Sequence, residues 1–543
     1  MEAITSFQTA LRINANDSIA WCSLGEAYMM EGKFIAALKS LDRALVCDSE
    51  LITAIYLKAN VNVKLGLYQD AIEGYKSVVS RTGSDCSANI PLIKNMLESY
   101  LEYSQELWDS GSVGACLDLL FEAVQLKELL VPDGIIEPCI LFLLGSCYTL
   151  MYQLGSDRII PEQLEFFDEC RSEILIKYEK RILSSGLAIL KKTNDKRILI
   201  ECAALWFGAA IVETHSSQTE SFYGACFHNL AQAHYIRRLD GHNVLTDAIK
   251  FAKLALRYLP DSFEFWNTLG ICTFDDEPKL SQHSFIMSIE HNPLNVLAWN
   301  NLGHFYLKHG EDDLASLCFK RVQSTDPEYI DGWLGQAIIA GDKGLQDEMI
   351  SLLDHAIDMN ESCDHGLLYL YATECFKNPE ILKDNLINVT FALLKCTQAN
   401  LSDPAIFNMY GIALEMQGKY AEAVTSFERA IEILRINKSN ENLHYVIENM
   451  ARVLCGSKRF EESVQLYQKV INLGEKVDLF TWVGYGIALF FAGSLAESLN
   501  AFEKALAICT LDPNPINLML SQVLFALGMP EHIEMAKQLL LQW

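Results

Sequence analysis

Eight positions recur along this chain at fixed spacing, and they constrain its fold more than any other feature. In one copy they are Trp299, Leu302, Gly303, Tyr306, Ala315, Phe319, Val322 and Pro327. The same slots hold Trp21, Leu24, Gly25, Tyr28, Ala37, Leu41 and Ala44 near the start. Further copies read Tyr410, Gly411, Leu414, Ala423, Phe427, Ala430 and Trp482, Tyr485, Gly486, Leu489, Ser498, Phe502, Ala505. Neighbouring copies give the period: Ala37 and Ala71 lie 34 residues apart, as do Trp299 and Trp333.

A period of this length with these slots is the tetratricopeptide pattern, a helix A, a turn and a helix B per copy. Each slot has a physical reason. A small residue at Gly25 or Gly303, and another at Ala37 or Ala315, lets the two helices of a copy approach closely. The aromatic at Tyr28 or Tyr306 is expected to fill the gap to the next helix. Glycine at Gly32, Gly66, Gly310 or Gly418 supports the turn between helices. Pro327 ends a helix B, because proline cannot continue the hydrogen-bond ladder. No copy can bury its apolar face alone, so copies must stack. The predicted fold is all-α: a tetratricopeptide-repeat, right-handed superhelical solenoid with a groove lined by A helices.

The register varies, and four segments are expected. Residues 1–85 are regular repeats, the first lacking helix A, since Ala3, Phe7 and Ala10 fit helix B slots. Residues 86–222 read as irregular helical hairpins, with helices at Leu92–Trp108, Val113–Leu130, Cys139–Gln153, Pro161–Leu190 and Arg197–Thr214. Regular repeats return over 223–363, with an insertion before Ala248. Residues 364–543 carry repeats with insertions, including a polar stretch at Arg435–Asn442 and a second helix near Asp384–Ala399. The ends read as those of part of a longer array.

The formal net charge is −27, from 70 acidic and 43 basic residues. Nucleic-acid binding needs lysine and arginine to displace counterions, so direct contact with nucleic acid is not expected. The 16 cysteines include no Cys-x-x-Cys pair. Cys22, Cys147, Cys272 and Cys318 sit inside apolar helical patterns and read as buried thiols, which suggests the cytosol or nucleus. The sequons at Asn388 and Asn437 are then chance matches. The longest mostly apolar run, Cys139–Tyr152, is shorter than the ~20 residues of a membrane span and reads as a core helix. No basic-then-apolar signal segment opens the chain.

No catalytic or ligand motif stands out. The Gly484/Gly486 pair lies in the small-residue slot of a helix A and follows no strand, so a dinucleotide reading fails. Cys226-x-His228 and Cys363-x-His365 are two-ligand fragments without partners. His228, His234, His304, His309 and His365 are scattered, Asp312 and Asp313 read as a solvated turn, and Lys191–Lys192 and Arg237–Arg238 are isolated basic pairs. No catalytic residue, cofactor or metal is expected, and the chain is read as a non-enzyme. Trp21, Trp266, Trp299, Trp333 and Trp482 share one slot and read as packing residues. Asn267, Asn300, Asn301 and His304 lie beside that slot on A helices and are the candidate partner-binding groove, since asparagine amides can grip a peptide backbone by paired hydrogen bonds.

The segment Leu297–Ala340, LAWNNLGHFYLKHGEDDLASLCFKRVQSTDPEYIDGWLGQAIIA, goes beyond a generic repeat. So do SFQTALRINANDSIAWCSLGEAY at the start and Cys202–Ile211, CAALWFGAAI. They resemble the large tetratricopeptide scaffold subunit of the superkiller (Ski) complex, over its middle and C-terminal part. The resemblance implies a non-catalytic protein that holds a DExH-type RNA helicase and WD-repeat propeller subunits. It implies support of 3′-to-5′ mRNA decay by the cytoplasmic RNA exosome, including decay of nonstop transcripts. The family grips its propeller through Gln-Arg-x-x-aromatic segments, and this chain contains no Gln-Arg dipeptide. That puts the propeller contact in doubt.

Two other classes fit less well. A co-chaperone would clamp acidic C-termini with lysine and arginine on A helices, and Phe263–Phe274 and Tyr329–Ala340 hold neither. A glycosyltransferase with a repeat arm would share Trp299-Asn300-Asn301-Leu302-Gly303, but no alternating strand and helix segment follows. The remaining alternative is a tetratricopeptide scaffold of an unrelated complex.

Overall fold

A computed structural model describes residues 2–82, 90–129, 137–154, 161–184, 197–213, 219–238, 242–359, 365–398, 403–436, 442–472, 477–509 and 514–541. Among these residues all regular structure is helical, with no strand. The expected Lys191–Lys192, Cys363 and Asn437 features, and the end of the helix expected to reach Leu190, lie outside the described residues. The chain divides into two compact units, residues 1–325 and 326–543.

In the first unit, helix Glu2–Ile13 packs on the pair Ser18–Met30 and Phe34–Cys47. The pair Ile52–Lys64 and Tyr68–Thr82 follows. Asp17 caps its helix by accepting from the Ile19 and Ala20 N–H groups, which would otherwise lack partners. Gly32 and Gly66 stand at φ 73° and 75° in the A–B turns, a left-handed conformation that costs glycine nothing. The close approach of A to B has a specific form. A methyl group added at Gly303 would lie 2.7 Å from the Phe319 ring, and one at Gly25 would lie 2.7 Å from Leu41. The ring of helix B thus fills the space where helix A lacks a side chain. Gly270 with Phe285, Gly411 with Phe427 and Gly486 with Phe502 repeat the contact.

The middle of the first unit keeps the same contact but separates its partners. A methyl group at Gly145 would meet Phe207 at 2.7 Å. Helix Pro138–Gln153 therefore pairs as A with Ile198–Glu213 as B, and the long helix Pro161–Ser184 is inserted between them in sequence. Helix Ile198–Glu213 is packed by Pro138–Gln153, Pro161–Ser184 and Glu220–Ile236, so it is buried on nearly every side. This explains why Cys202–Ile211 is apolar throughout rather than on one stripe. Its one acidic residue in the first turn, Glu201, is 1% exposed. Arg171 Nε lies 2.7 Å from Glu201, and Arg237 Nη1 donates to it at 2.7 Å. A buried carboxylate is tolerated because two arginines from the flanking helices meet it. At the far end of the helix Arg181 pairs with Glu213. The pairs Glu220–Ile236 with His242–Tyr258, Phe263–Cys272 with Pro278–His291, and Val296–Lys308 with Asp312–Thr325 complete the unit.

The second unit continues the alternation from Ile330–Asp342 to Pro530–Leu541. Its long repeat contains a short helix, Pro379–Asp384, between His365–Lys377 and Leu386–Gln398. In the turn before Phe460–Asn472, Lys458 takes the glycine position at φ 67°.

Candidate protein-docking surface

The shared tryptophans do more than pack. They are half-buried, and four of the five indoles reach back over their helix start to the preceding turn. Trp21 Nε1 donates to the Ala15 carbonyl at 2.8 Å, and Trp266 to Pro260 at 2.7 Å. Trp299 donates to Pro293 at 3.0 Å and Trp333 to Pro327 at 2.9 Å. The loop carbonyls just before helix A are satisfied this way. Trp482 instead carries the Lys504 ammonium over its ring at 4.6 Å.

Slot tyrosines face the preceding helix B, not the next helix as the sequence suggested. Tyr28 accepts from Gln8 at 2.8 Å and Tyr306 from Gln282 at 3.1 Å; Tyr485, which stands in the slot of Leu302, likewise accepts from Gln468 at 3.1 Å. Serine replaces alanine in the helix B small slot without penalty, because its hydroxyl donates to helix A. Ser281 reaches the Gly270 carbonyl, Ser463 that of Ala451 and Ser498 that of Gly486, all within 2.7–2.8 Å.

The four candidate groove residues separate in the structure. Asn267 and Asn301, on consecutive A helices, come together: Asn301 Nδ2 donates to Asn267 Oδ1 at 3.0 Å. Asn300 is 5% exposed and turns into the repeat. His304 packs edge-on against Phe319 of its own helix B, with ring centres 5.2 Å apart. The Asn267–Asn301 pair still presents an amide donor and a carbonyl acceptor, the two groups a peptide backbone requires.

The second unit contains an equivalent pair that the sequence reading missed. Asn449 Nδ2 donates to Asn408 Oδ1 at 3.0 Å, again from the residue two before the small slot to the residue three before it in the previous repeat. Comparing those two positions between neighbouring copies, rather than within one copy, would have revealed it. Next to this pair, Arg452 holds Glu415 by two hydrogen bonds of 2.9 and 2.7 Å. Burial, with the nearby Asp478 charge, raises the Glu448 carboxyl above its usual range. A third contact, Asn95 to Tyr56 and Asn60 at 3.0 and 3.2 Å, joins earlier A helices.

Several cysteines and two histidines are buried in the repeat cores. Burial pushes the thiols of Cys147, Cys272, Cys318 and Cys375 up to about 12. Burial pushes His228 and His234 down to about 4, the latter with help from the Arg237 charge. His228 stacks on Phe265 and His234 stands edge-on to Phe251. Among the described residues no cluster of three potential metal ligands occurs, and no helix is long and apolar enough to cross a membrane.

Comparison with known proteins agrees with this architecture. A tetratricopeptide repeat family model matches residues 296–329. The chain is 26% identical to tetratricopeptide repeat protein 37 of Xenopus laevis over 95% of its own length, and 26% identical to human superkiller complex protein 3 over the same share. It is 23% identical to superkiller protein 3 of Saccharomyces cerevisiae over 100% of its length. The similarity read at Leu297–Ala340 therefore extends along nearly the whole chain, irregular middle included. The chain spans 33% of the length of the two vertebrate relatives and 40% of the yeast one.

Proposed function

We propose that this chain is a non-catalytic scaffold of a superkiller-type complex, acting in the cytoplasm. Its role is to hold a DExH-type RNA helicase and so to support 3′-to-5′ mRNA decay by the exosome. The observation that carries this reading is the similarity to superkiller proteins over 95–100% of the chain. The surface chemistry supports it. Paired asparagines on A helices suit recognition of a partner backbone. The buried thiols of Cys147, Cys272, Cys318 and Cys375 and the buried imidazoles of His228 and His234 are held toward their neutral forms, which disfavours nucleophilic or acid–base work by them. The acidic balance suits basic partner patches and opposes direct RNA binding.

The test is a pull-down of the matching helicase by the purified chain, with and without nuclease, at two salt concentrations. Binding that survives nuclease and weakens with salt is expected. Loss on nuclease treatment would show that RNA bridges the two proteins. No binding by a folded sample would refute the helicase role for this stretch and leave a scaffold of another kind. The WD-repeat propeller, run alongside, is expected to bind weakly, since no Gln-Arg segment is present to grip it.

A further inference from the structure

One junction between repeats leaves room. At the Gln8–Tyr28 junction, a helix B glutamine meets the slot tyrosine of the next helix A. That glutamine stands five residues after the small helix B residue Ala3. The corresponding residue after Ala37 is Asp42, and the tyrosine slot 34 residues after Tyr28 is Asn62. Neither replacement spans the gap. Asp42 turns to Lys58 at 2.7 Å. The result is an open cavity of ≈ 530 Å³ between helices Phe34–Cys47, Ile52–Lys64 and Tyr68–Thr82.

The lining has three parts. Leu38, Ile55 and Ala59 give an apolar wall. Asp70 and Glu73 stand one turn apart at the rim, exposed and without an ion pair. Lys58 and Arg81 also line the cavity, Lys58 paired with Asp42 and Arg81 with Glu50. Between wall and rim, the Asn62 side chain lines the cavity, is 4% exposed and makes no hydrogen bond. The cavity is open, so water can meet this amide, and a partner group with matching donors would take that water's place.

We propose that this cavity receives an arginine side chain from a protein partner. The aliphatic stem lies along the apolar wall, and the guanidinium reaches Asp70, Glu73 and the Asn62 carbonyl. Arginine fits because its planar fork offers five donors to acceptors in several directions. A tyrosine would refill the space that the template tyrosine vacates, but would leave both carboxylates unanswered. The cavity is lined by both flanking B helices, so it is separate from the asparagine pairs. The inference does not depend on which complex the scaffold serves.

The test uses the full chain and fluorescein-labelled hexapeptide pools with one fixed central residue and random neutral flanks. Pools fixed at arginine, citrulline and tyrosine are compared by fluorescence anisotropy. Citrulline keeps the shape of arginine and removes its charge. The arginine pool is expected to bind at least tenfold more tightly than either other pool. The double substitution Asp42→Gln, Asn62→Tyr rebuilds the Gln–Tyr junction and fills the cavity. It is expected to weaken arginine-pool binding at least tenfold while melting at or above the parent temperature. Asp70→Asn with Glu73→Gln, both exposed, should weaken binding equally without touching the fold. Equal binding of arginine and citrulline, preference for tyrosine, no binding of the arginine pool, or unchanged binding by either variant would overturn the proposal. None of these results would alter the helicase pull-down.

Discussion

Substituting Glu201 by glutamine removes one charge from a site that water hardly reaches. Glu201 is 1% exposed, Arg237 1% and Arg171 8%. The substitution keeps shape and volume, so no cavity forms. What changes is that two buried guanidiniums lose the charge of Glu201. Breaking a buried ion pair in this way costs about 3 to 5 kcal/mol, because the remaining charge stays desolvated. The attraction itself is not worth that much, since replacing all three members by apolar residues is often neutral or stabilising. The E201Q variant and the apolar triple Arg171→Met, Glu201→Leu, Arg237→Met therefore separate the two effects. Urea unfolding followed by circular dichroism gives each midpoint, and hydrogen exchange over Pro161–Ser184 and Glu220–Ile236 locates the loss. E201Q is expected to lose about 3 kcal/mol or more and to expose those two helices to exchange. The triple is expected to lose less than half of that. A loss below about 1 kcal/mol for E201Q, or an equal loss for the triple, would refute the reasoning.

Three further outcomes follow from the geometry. Trp299→Phe removes the indole bond to Pro293 with a little packing and should cost about 1 to 2 kcal/mol, whereas Trp299→Ala also loses the rest of the ring packing and should cost about 2 to 3, measured by chemical denaturation. Lys458→Gly relieves a left-handed lysine at φ 67° and should stabilise by roughly 0.5 to 1 kcal/mol, seen as a raised urea midpoint. His228 and His234 titrate near 4 when folded and near 6.5 when unfolded, so between those values the unfolded chain binds more protons and stability rises with pH. Lowering the pH from 7 to 4.5 should cost on the order of 2 kcal/mol per histidine, and the double variant His228→Phe, His234→Leu should flatten that part of the urea-midpoint profile.

What the sequence makes legible is what repeats. Gly25, Gly303, Gly411 and Gly486 announce close helix approach because the same slot recurs many times, and the structure places a large side chain against each. The irregular middle is legible as helices but not as pairs. Gly145 and Phe207 make the same contact across an inserted helix, and no fixed spacing points from one to the other. Arg171, Glu201 and Arg237 each look like a solvated charge in sequence; only the packing around Ile198–Glu213 brings them together. The candidate groove is partly legible. Helical spacing places Asn267, Asn300, Asn301 and His304 beside the tryptophan slot, but it cannot say which one faces a neighbouring repeat. That depends on the rotation between repeats, which brings Asn301 to Asn267 and turns Asn300 inward.

The glycine–aromatic contact also determines where each unit can yield under load. Sliding helix A along helix B drives a ring into backbone that has no room for even a methyl group, as at Gly270 and Phe285, where the approach would be 2.5 Å. The two helices of a repeat therefore move as one stiff plate. Between plates the polar ties are amide pairs and glutamine–tyrosine bonds, which water can replace at a cost of about 1 kcal/mol each. Elastic compliance is thus concentrated at the joints. Within each unit, neighbouring plates should therefore tilt across their shared apolar face before the two helices of one plate slide past each other.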